Sequence, residues 1–452
     1  MVSDPESLQN LGELTSEVPP EAASAEEGGQ SGWRRTLWVM WIAQVIAILG
    51  FSFVMPFIPF YVRELGVAGD RAVALWAGVL ASSAGFAMAV VAPLWGRLAD
   101  RVGRRPMVLR SMLGGAVVLA SMGLATNVYQ LLVLRVLQGV LTGTIAASVA
   151  MVSSMTPRKH LGYSLGLMQT AVFTGASVGP WIGGMTADFV GYRFSFYCTG
   201  GMLLLAGLLV AFGTRERFVR PAAQEPGVKG GLRGVLALPG MRVMLAVFLV
   251  VNLAGTVVGP IFPLYVEKLM ADPARAASVT GLIMALTGVM AAVAAGVIGR
   301  LSDRVGHKRV LVLCTFASGL LCLPQAAVTN VGQLLGLRAL FGASVGGTGP
   351  TINALVAHLV PRSGYGRAYG LTASVSSLGA GIGPLVGGVM ASSLGLRWPF
   401  VLTGMVLMML SGMAAWRVPG RAQLRQVAAA RALGGTAPVP EGSPARCSCG
   451  RR

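Results

Sequence analysis

The chain has 452 residues, of which 54% are hydrophobic and only 12% charged, and its mean hydropathy is +0.68. That balance excludes a soluble domain of this length and defines a polytopic membrane protein, with Gly and Ala in place of much of the expected Leu and Ile, as suits helices packed closely in lipid. The net charge of +19 does not point to nucleic acid, because Arg and Lys sit in short segments between apolar runs and build no basic soluble module.

Residues 1–32 carry seven acidic residues and no Lys or Arg, which predicts a disordered acidic tail and lacks the basic start of a signal peptide. Trp33-Arg34-Arg35 then anchors the first of twelve apolar runs, each long enough to span at about 20 residues. Six runs fill 33–213 and six fill 241–417. A polar linker at 214–240, with Pro221, Pro226 and five basic residues, separates the two bundles, and 418–452 is expected to be a disordered basic tail. The predicted fold class is an all-α membrane protein of two six-helix bundles. Cys447-Ser448-Cys449 in the tail is a lone Cys-x-Cys, read as incidental, and the chemistry calls for no metal and no cofactor.

One ten-residue segment occurs twice. Gly96 to Arg105 and Gly299 to Lys308 agree at seven positions with a separation of 203, and each is a basic link between two apolar runs. The repeat extends to Pro56 and Pro260, Arg135 and Arg338, and Gly179-Pro180 and Gly383-Pro384, at offsets of 203 or 204. An even number of spans per repeat relates the halves by an axis along the membrane normal, with a site near the midplane between them. Basic residues concentrate on the side of the repeated loops, the linker and the tails, whereas Arg63, Lys268 and their neighbours on the other side are nearly balanced by Glu64, Asp70, Asp188 and Glu267. Both termini are therefore expected in the cytoplasm, in a multi-pass cytoplasmic (inner) membrane protein.

On these residues the chain resembles the major facilitator superfamily and, within it, the twelve-span bacterial drug:proton antiporters. The resemblance runs from 34 to 417. The loop signature stands as Gly96, Asp100, Gly103, Arg104 and Arg105; the fourth-span signature as Arg135, Gln138 and Gly139; the antiporter signature as Gly175, Gly179, Pro180, Gly183 and Gly184, recurring as Gly379, Gly383, Pro384, Gly387 and Gly388. The resemblance implies export of lipophilic or cationic drug-like compounds by alternating access and proton antiport, with lipid, a small molecule and protons as partners, no nucleic acid and a monomeric carrier. A metabolite carrier on the same fold is the alternative, and a non-transporting sensor or enzyme fits less well, since His160, His307 and His358 share no metal-ligand spacing.

The resemblance gives Arg135 a part in proton coupling, the alternative being a structural arginine. Arg338 is left open, because Phe341 stands where Gln138 stands in the first half. No Asp or Glu lies at mid-depth in any span, which leaves Glu64, Asp100, Asp188, Glu267 and Asp303 at span ends as groups that could titrate. Gly179, Pro180, Gly383 and Pro384 read either as a place where a helix bends or as static packing. With the first, fourth, seventh and tenth spans round the cavity, as the resemblance implies, the substrate candidates are Gln44, Phe53, Phe57, Gln138, Gln169, Phe173, Asn252 and Asn353. Asp100 and, by symmetry, Asp303 are expected to latch the cytoplasmic side shut by meeting the helix start of the opposite half, or else only to order their own loops.

Overall fold

The computed structural model describes residues 20–157, 160–216, 236, 238, 240–360 and 365–418, giving backbone alone at 20–31, Asp100, His358 and 365–369. The described residues form helices joined by short turns. Nine helical segments are long and apolar enough to cross a membrane, and counting broken helices as single rods gives six before the linker and six after it. Most of the expected linker, and the basic tail beyond Val418 with Cys447 and Cys449, lie outside the described residues.

The first helix starts at Pro20, so the expected disordered tail is corrected for 20–32. Glu21-Ala22-Ala23-Ser24-Ala25-Glu26-Glu27 is rich in strong helix formers, and its acids suit a helix start.

Four rods are broken: the first between Phe53 and Ile58, the fourth between Leu141 and Thr144, the seventh between Val257 and Phe262, and the tenth at Gly347. These are the four spans that the resemblance sets round the cavity. Pro56 and Pro260 account for two breaks, since proline removes a helix hydrogen bond. Gly143, at φ +120°, accounts for the third. The fifth and eleventh spans, by contrast, run unbroken through Pro180 and Pro384, over Leu161–Val190 and Tyr365–Leu394.

The repeat is visible in hydrogen bonds. Buried Tyr61 donates to the Met122 carbonyl at 2.8 Å and Tyr265 to that of Gln325 at 2.6 Å. Asn127 and Asn330 cap the fourth and tenth spans by accepting from the amides of Gln130 and Gln333, each at 2.9 Å. Gly103 and Gly306, at φ +104° and +108°, turn the two copies of the loop. Each half is thus braced in the same way.

The halves meet along two helix pairs, the second span on the eleventh and the fifth on the eighth. Gly78 packs on Gly388 and the Pro384 carbonyl, and Gly281 on the Pro180 carbonyl so closely that a methyl there would collide. Gly85 on Gly381 and Gly288 on Ser177 continue the contact. Eighteen residues along each helix is five turns and the same face. At Gly96, Gly166 and Gly370, eighteen residues from Gly78, Gly184 and Gly388, an added Cβ would meet nothing within 4 Å, and at Gly299 it would meet only Pro350 of its own half. The halves therefore close together at one end and diverge toward the end bearing the repeated loops.

Candidate functional site: a cleft between the halves

The cleft begins where Gly85 meets Gly381, with the Phe86 ring 3.4 Å from a Cβ placed on Gly381. Helical periodicity decides what faces it. On the fifth span Ser177, Pro180 and Gly184 face the eighth span, and stepping back by four and eight residues from Ser177 brings Phe173 and Gln169 onto the same stripe in the diverging region. Phe173 is half-buried and Gln169 exposed. On the eleventh span the corresponding stripe from Gly381 carries half-buried Ser377 and exposed Ser374, polar positions that the sequence reading passed over.

The other candidates lie elsewhere. Gln44 is fully buried, and neither amide atom has a hydrogen-bond partner. Phe53 and Phe57 are buried within the first half, Phe57 stacked on Tyr192 at 5.7 Å and edge-on to Phe196 at 5.6 Å. Asn252 accepts from Ser376 at 2.8 Å and donates to the Phe248 carbonyl, tying the seventh span to the eleventh inside the second half. Asn353 is exposed on the tenth span. Gln138 accepts from Arg135 at 3.1 Å.

Arg135 is only 6% exposed and its Nε and Nη2 have no hydrogen-bond partner, so its charge is held in the bundle by one amide. Arg338 is held differently. Its guanidinium lies 4.2 Å from the Phe262 ring, 5.4 Å from Phe341 and 5.6 Å from Phe400. Phe341, where the first half has Gln138, supplies one wall of this aromatic cage. A third arginine inside a span escaped the sequence reading. Arg110 stacks 3.7 Å from the Trp95 ring and donates to the Leu141 carbonyl at 2.9 Å, while Trp95 Nε1 donates to the Val140 carbonyl at 2.7 Å. These are carbonyls released by the break in the fourth span, and unwound backbone in a membrane must find such partners.

The antiporter signature is a packing stripe in this structure. Gly175, Gly179 and Gly183 let the fifth span lie against the backbone of Leu49 and Phe53, and Gly184 lets it lie against Ala277 of the other half. Gly379, Gly383 and Gly387 do the same on the seventh span, and Gly388 on Ala74 of the second.

At the loop end, Glu216 accepts from the amides of Arg104 and Arg105 at 2.7–3.0 Å, capping the third span, and Arg105 donates to the Ala211 carbonyl. Asp303 lies 3.9 Å from His307. Asp100 sits near the end of the helix Asp70–Val102, and its side chain is outside the described set.

The closed end is held by charge. Arg63 donates to both Glu267 oxygens, at 2.7 and 2.9 Å, and to Asp70 at 3.0 Å; Lys268 lies 3.1 Å from Asp70. Asp188 accepts from the Ser278 amide at 2.7 Å, at the start of the eighth span. Glu64 pairs with Arg193 at 2.8 Å within its own half. A small cavity of about 270 Å³ lies among Phe60, Arg63, Glu64, Asp188, Tyr192 and Glu267. Among the described residues no group of three or more His, Cys, Asp or Glu could hold a metal ion.

The family profile of the Major Facilitator Superfamily matches residues 40–273 and 243–445. The chain is 37% identical over 379 residues to the multidrug resistance protein MdtG of Dickeya zeae, covering 83% of this chain and 92% of that protein. It is 36% identical over 380 residues to MdtG of Salmonella typhimurium, covering 83% and 93%. Among solved structures it resembles a bacterial homologue of the human lysosomal transporter Spinster in an inward-facing, occupied conformation, with a TM-score of 0.72, 14% identity and 85% and 96% coverage. It also resembles the human organic anion transporter MFSD10, with a TM-score of 0.64, 16% identity and 84% and 99% coverage.

Proposed function

The chain belongs to the Major Facilitator Superfamily, and from that premise we propose that it exports lipophilic or cationic drug-like compounds across the cytoplasmic membrane by alternating access, in exchange for protons. One observation carries the reading: the halves are packed together at one end and apart at the other, and the open end is the one bearing the repeated basic loops. Basic loops are retained on the cytoplasmic side. The cleft thus faces the cytoplasm, where an exporter collects its substrate. Similarity to multidrug resistance proteins over most of the chain supports a drug-like substrate.

The cleft stripe offers an amide, an aromatic ring and two hydroxyls, from Gln169, Phe173, Ser374 and Ser377. Such a surface suits apolar compounds with few polar groups. Arg135 takes part in coupling by holding a buried charge whose single hydrogen bond, to Gln138, leaves the rest of the guanidinium free to answer a change in its surroundings. Asp100 and Asp303 serve the opposite state, latching the cytoplasmic ends together when the outer end opens. Accumulation of a fluorescent cationic dye in expressing cells tests the reading. Expression should lower accumulation and a protonophore should restore it; dye levels unaffected by expression would refute drug export, and export insensitive to the protonophore would refute proton coupling.

A further inference from the structure

The fourth and tenth spans each carry an arginine and a break, but the two breaks are held in different ways. In the fourth span the helix Val128–Leu141 ends within one turn of Gln138, and its last carbonyls have no partner in their own helix. Trp95, one residue before the first repeated loop, donates from Nε1 to the Val140 carbonyl at 2.7 Å. Arg110, five residues after that loop, stacks 3.7 Å from the same indole and donates to the carbonyls of Leu141 at 2.9 Å and Val140 at 3.3 Å. In the second half the related places are apolar. Ile298, 203 residues after Trp95, lies with Cys314 nearest to a Cβ placed on Gly347, and Leu313, 203 residues after Arg110, is exposed. That break is closed by its own threonines, Thr348 donating to the Val345 carbonyl at 2.7 Å and Thr351 to that of Gly347 at 2.6 Å. Related positions thus tie the second, third and fourth spans together by polar bonds in the first half and only pack in the second.

We propose that Trp95 and Arg110 are positioning residues for Arg135, acting through Gln138. This rests on the reading that Arg135 takes part in coupling. Gln138 supplies the one hydrogen bond of the Arg135 guanidinium, whose Nε and Nη2 have no partner. The carbonyl of Gln138 accepts from the Thr142 amide at 2.9 Å and hydroxyl at 2.7 Å, closing the turn that carries Val140 and Leu141. A helix end frays when its carbonyls are unbound, and inside a membrane such carbonyls must find donors within the protein. The Arg110 guanidinium is a flat charged donor, so its edge meets the carbonyls while its face lies on the indole. Gln138 is thereby fixed in register at the break, and Arg135 one turn before it. The two clamp residues flank the first repeated loop, so a movement of that loop reaches Gln138 and Arg135 through them. Arg338 is held instead by three phenylalanine rings.

The experiment compares Arg110→Gln, Trp95→Phe, Gln138→Ala and the double variant Arg110→Gln with Gln138→Ala, all in the full-length chain. Hydrogen exchange needs no substrate. At the amides of 138–142 it should rise roughly tenfold in Arg110→Gln, as loss of bonds from a charged donor implies, and less in Trp95→Phe, which keeps a ring beneath Arg110 but loses the bond to Val140. At 341–345, the related turn of the second half, it should stay at the parental rate. Proteoliposomes with a pH-sensitive dye inside then give the protons moved per molecule of rhodamine 6G. That ratio should fall several-fold in Arg110→Gln and in Gln138→Ala with the affinity for rhodamine 6G unchanged, and the double variant should fall no further than either single one. A clamp that only stabilises the bundle would lower yield or rate and leave the ratio alone. A parental ratio in Arg110→Gln, additive losses in the double variant, or exchange that rises equally in both halves would each overturn the proposal. A parent that moves no rhodamine 6G, or moves it without protons, would count against the proposed function, and the exchange pattern would still support or overturn the clamp on Gln138.

Discussion

Gly281 and Gly183 are both buried glycines on which a methyl would strike a carbonyl, yet the two substitutions should behave differently. The obstacle at Gly183 is Phe53 of the same half, whereas at Gly281 it is Pro180 of the opposite half. Forcing a methylene or methyl into a packed interface costs about 1–3 kcal/mol. For Gly183→Ala the cost falls on the folded bundle in every state, and it should appear as a lower melting temperature in detergent. For Gly281→Ala it falls on the inward-open state alone, because that contact lies near the outer end of the eighth span and separates when the outer end opens. A 1–3 kcal/mol bias corresponds to about 5- to 150-fold in the ratio of the two states. Ala277 is fully buried between the halves at the closed end. With the native cysteines replaced by serine, labelling of Ala277→Cys by a membrane-impermeant maleimide from outside should therefore rise in Gly281→Ala by a factor in that range, with the melting temperature near the parent's. If Gly281→Ala leaves labelling unchanged, or lowers the melting temperature as much as Gly183→Ala, the contact does not separate between states and the argument fails.

Arg135→Ala should abolish dye export with near-normal yield, while Arg338→Ala, which only empties a phenylalanine cage, should reduce export in part; equal loss of export in two well-folded variants would remove the distinction. Asp100→Asn, which keeps the shape but not the charge, should slow export and raise labelling of cysteines placed in the cytoplasmic cleft; parental values for both would refute the latch.

The architecture was legible because duplication wrote it twice. The loops, the paired prolines at Pro56 and Pro260 and the count of apolar runs needed no knowledge of packing. The faces of helices were harder to read. Phe57 and Gln44 lie on the right spans, but depth along a helix does not say which way a side chain turns, and both turn into the first half. Depth along the span picks out Gln169 and Phe173 as candidates, but their place in the cleft follows from Ser177 and Gly184, whose contacts across the halves set the stripe. Arg110 was missed because its function depends on the break at Gly143, where an ordinary Thr-Gly-Thr gives little warning. The charges of the closed end were in view as a nearly balanced set. Comparing Arg63 with Glu267 across the repeat would have shown opposite signs at related positions, 204 residues apart, but nothing in the sequence alone places those residues on the axis.

The inverted charges also bear on how the molecule assembles. Two halves built on one repeat present related surfaces at the axis along which they meet. Two first halves brought together about the same axis would set Arg63 against Arg63, and two second halves would set Glu267 against Glu267. Like halves would oppose like charge at these positions, whereas unlike halves pair Arg63 with Glu267, so the contact at the outer end is complementary only between a first half and a second.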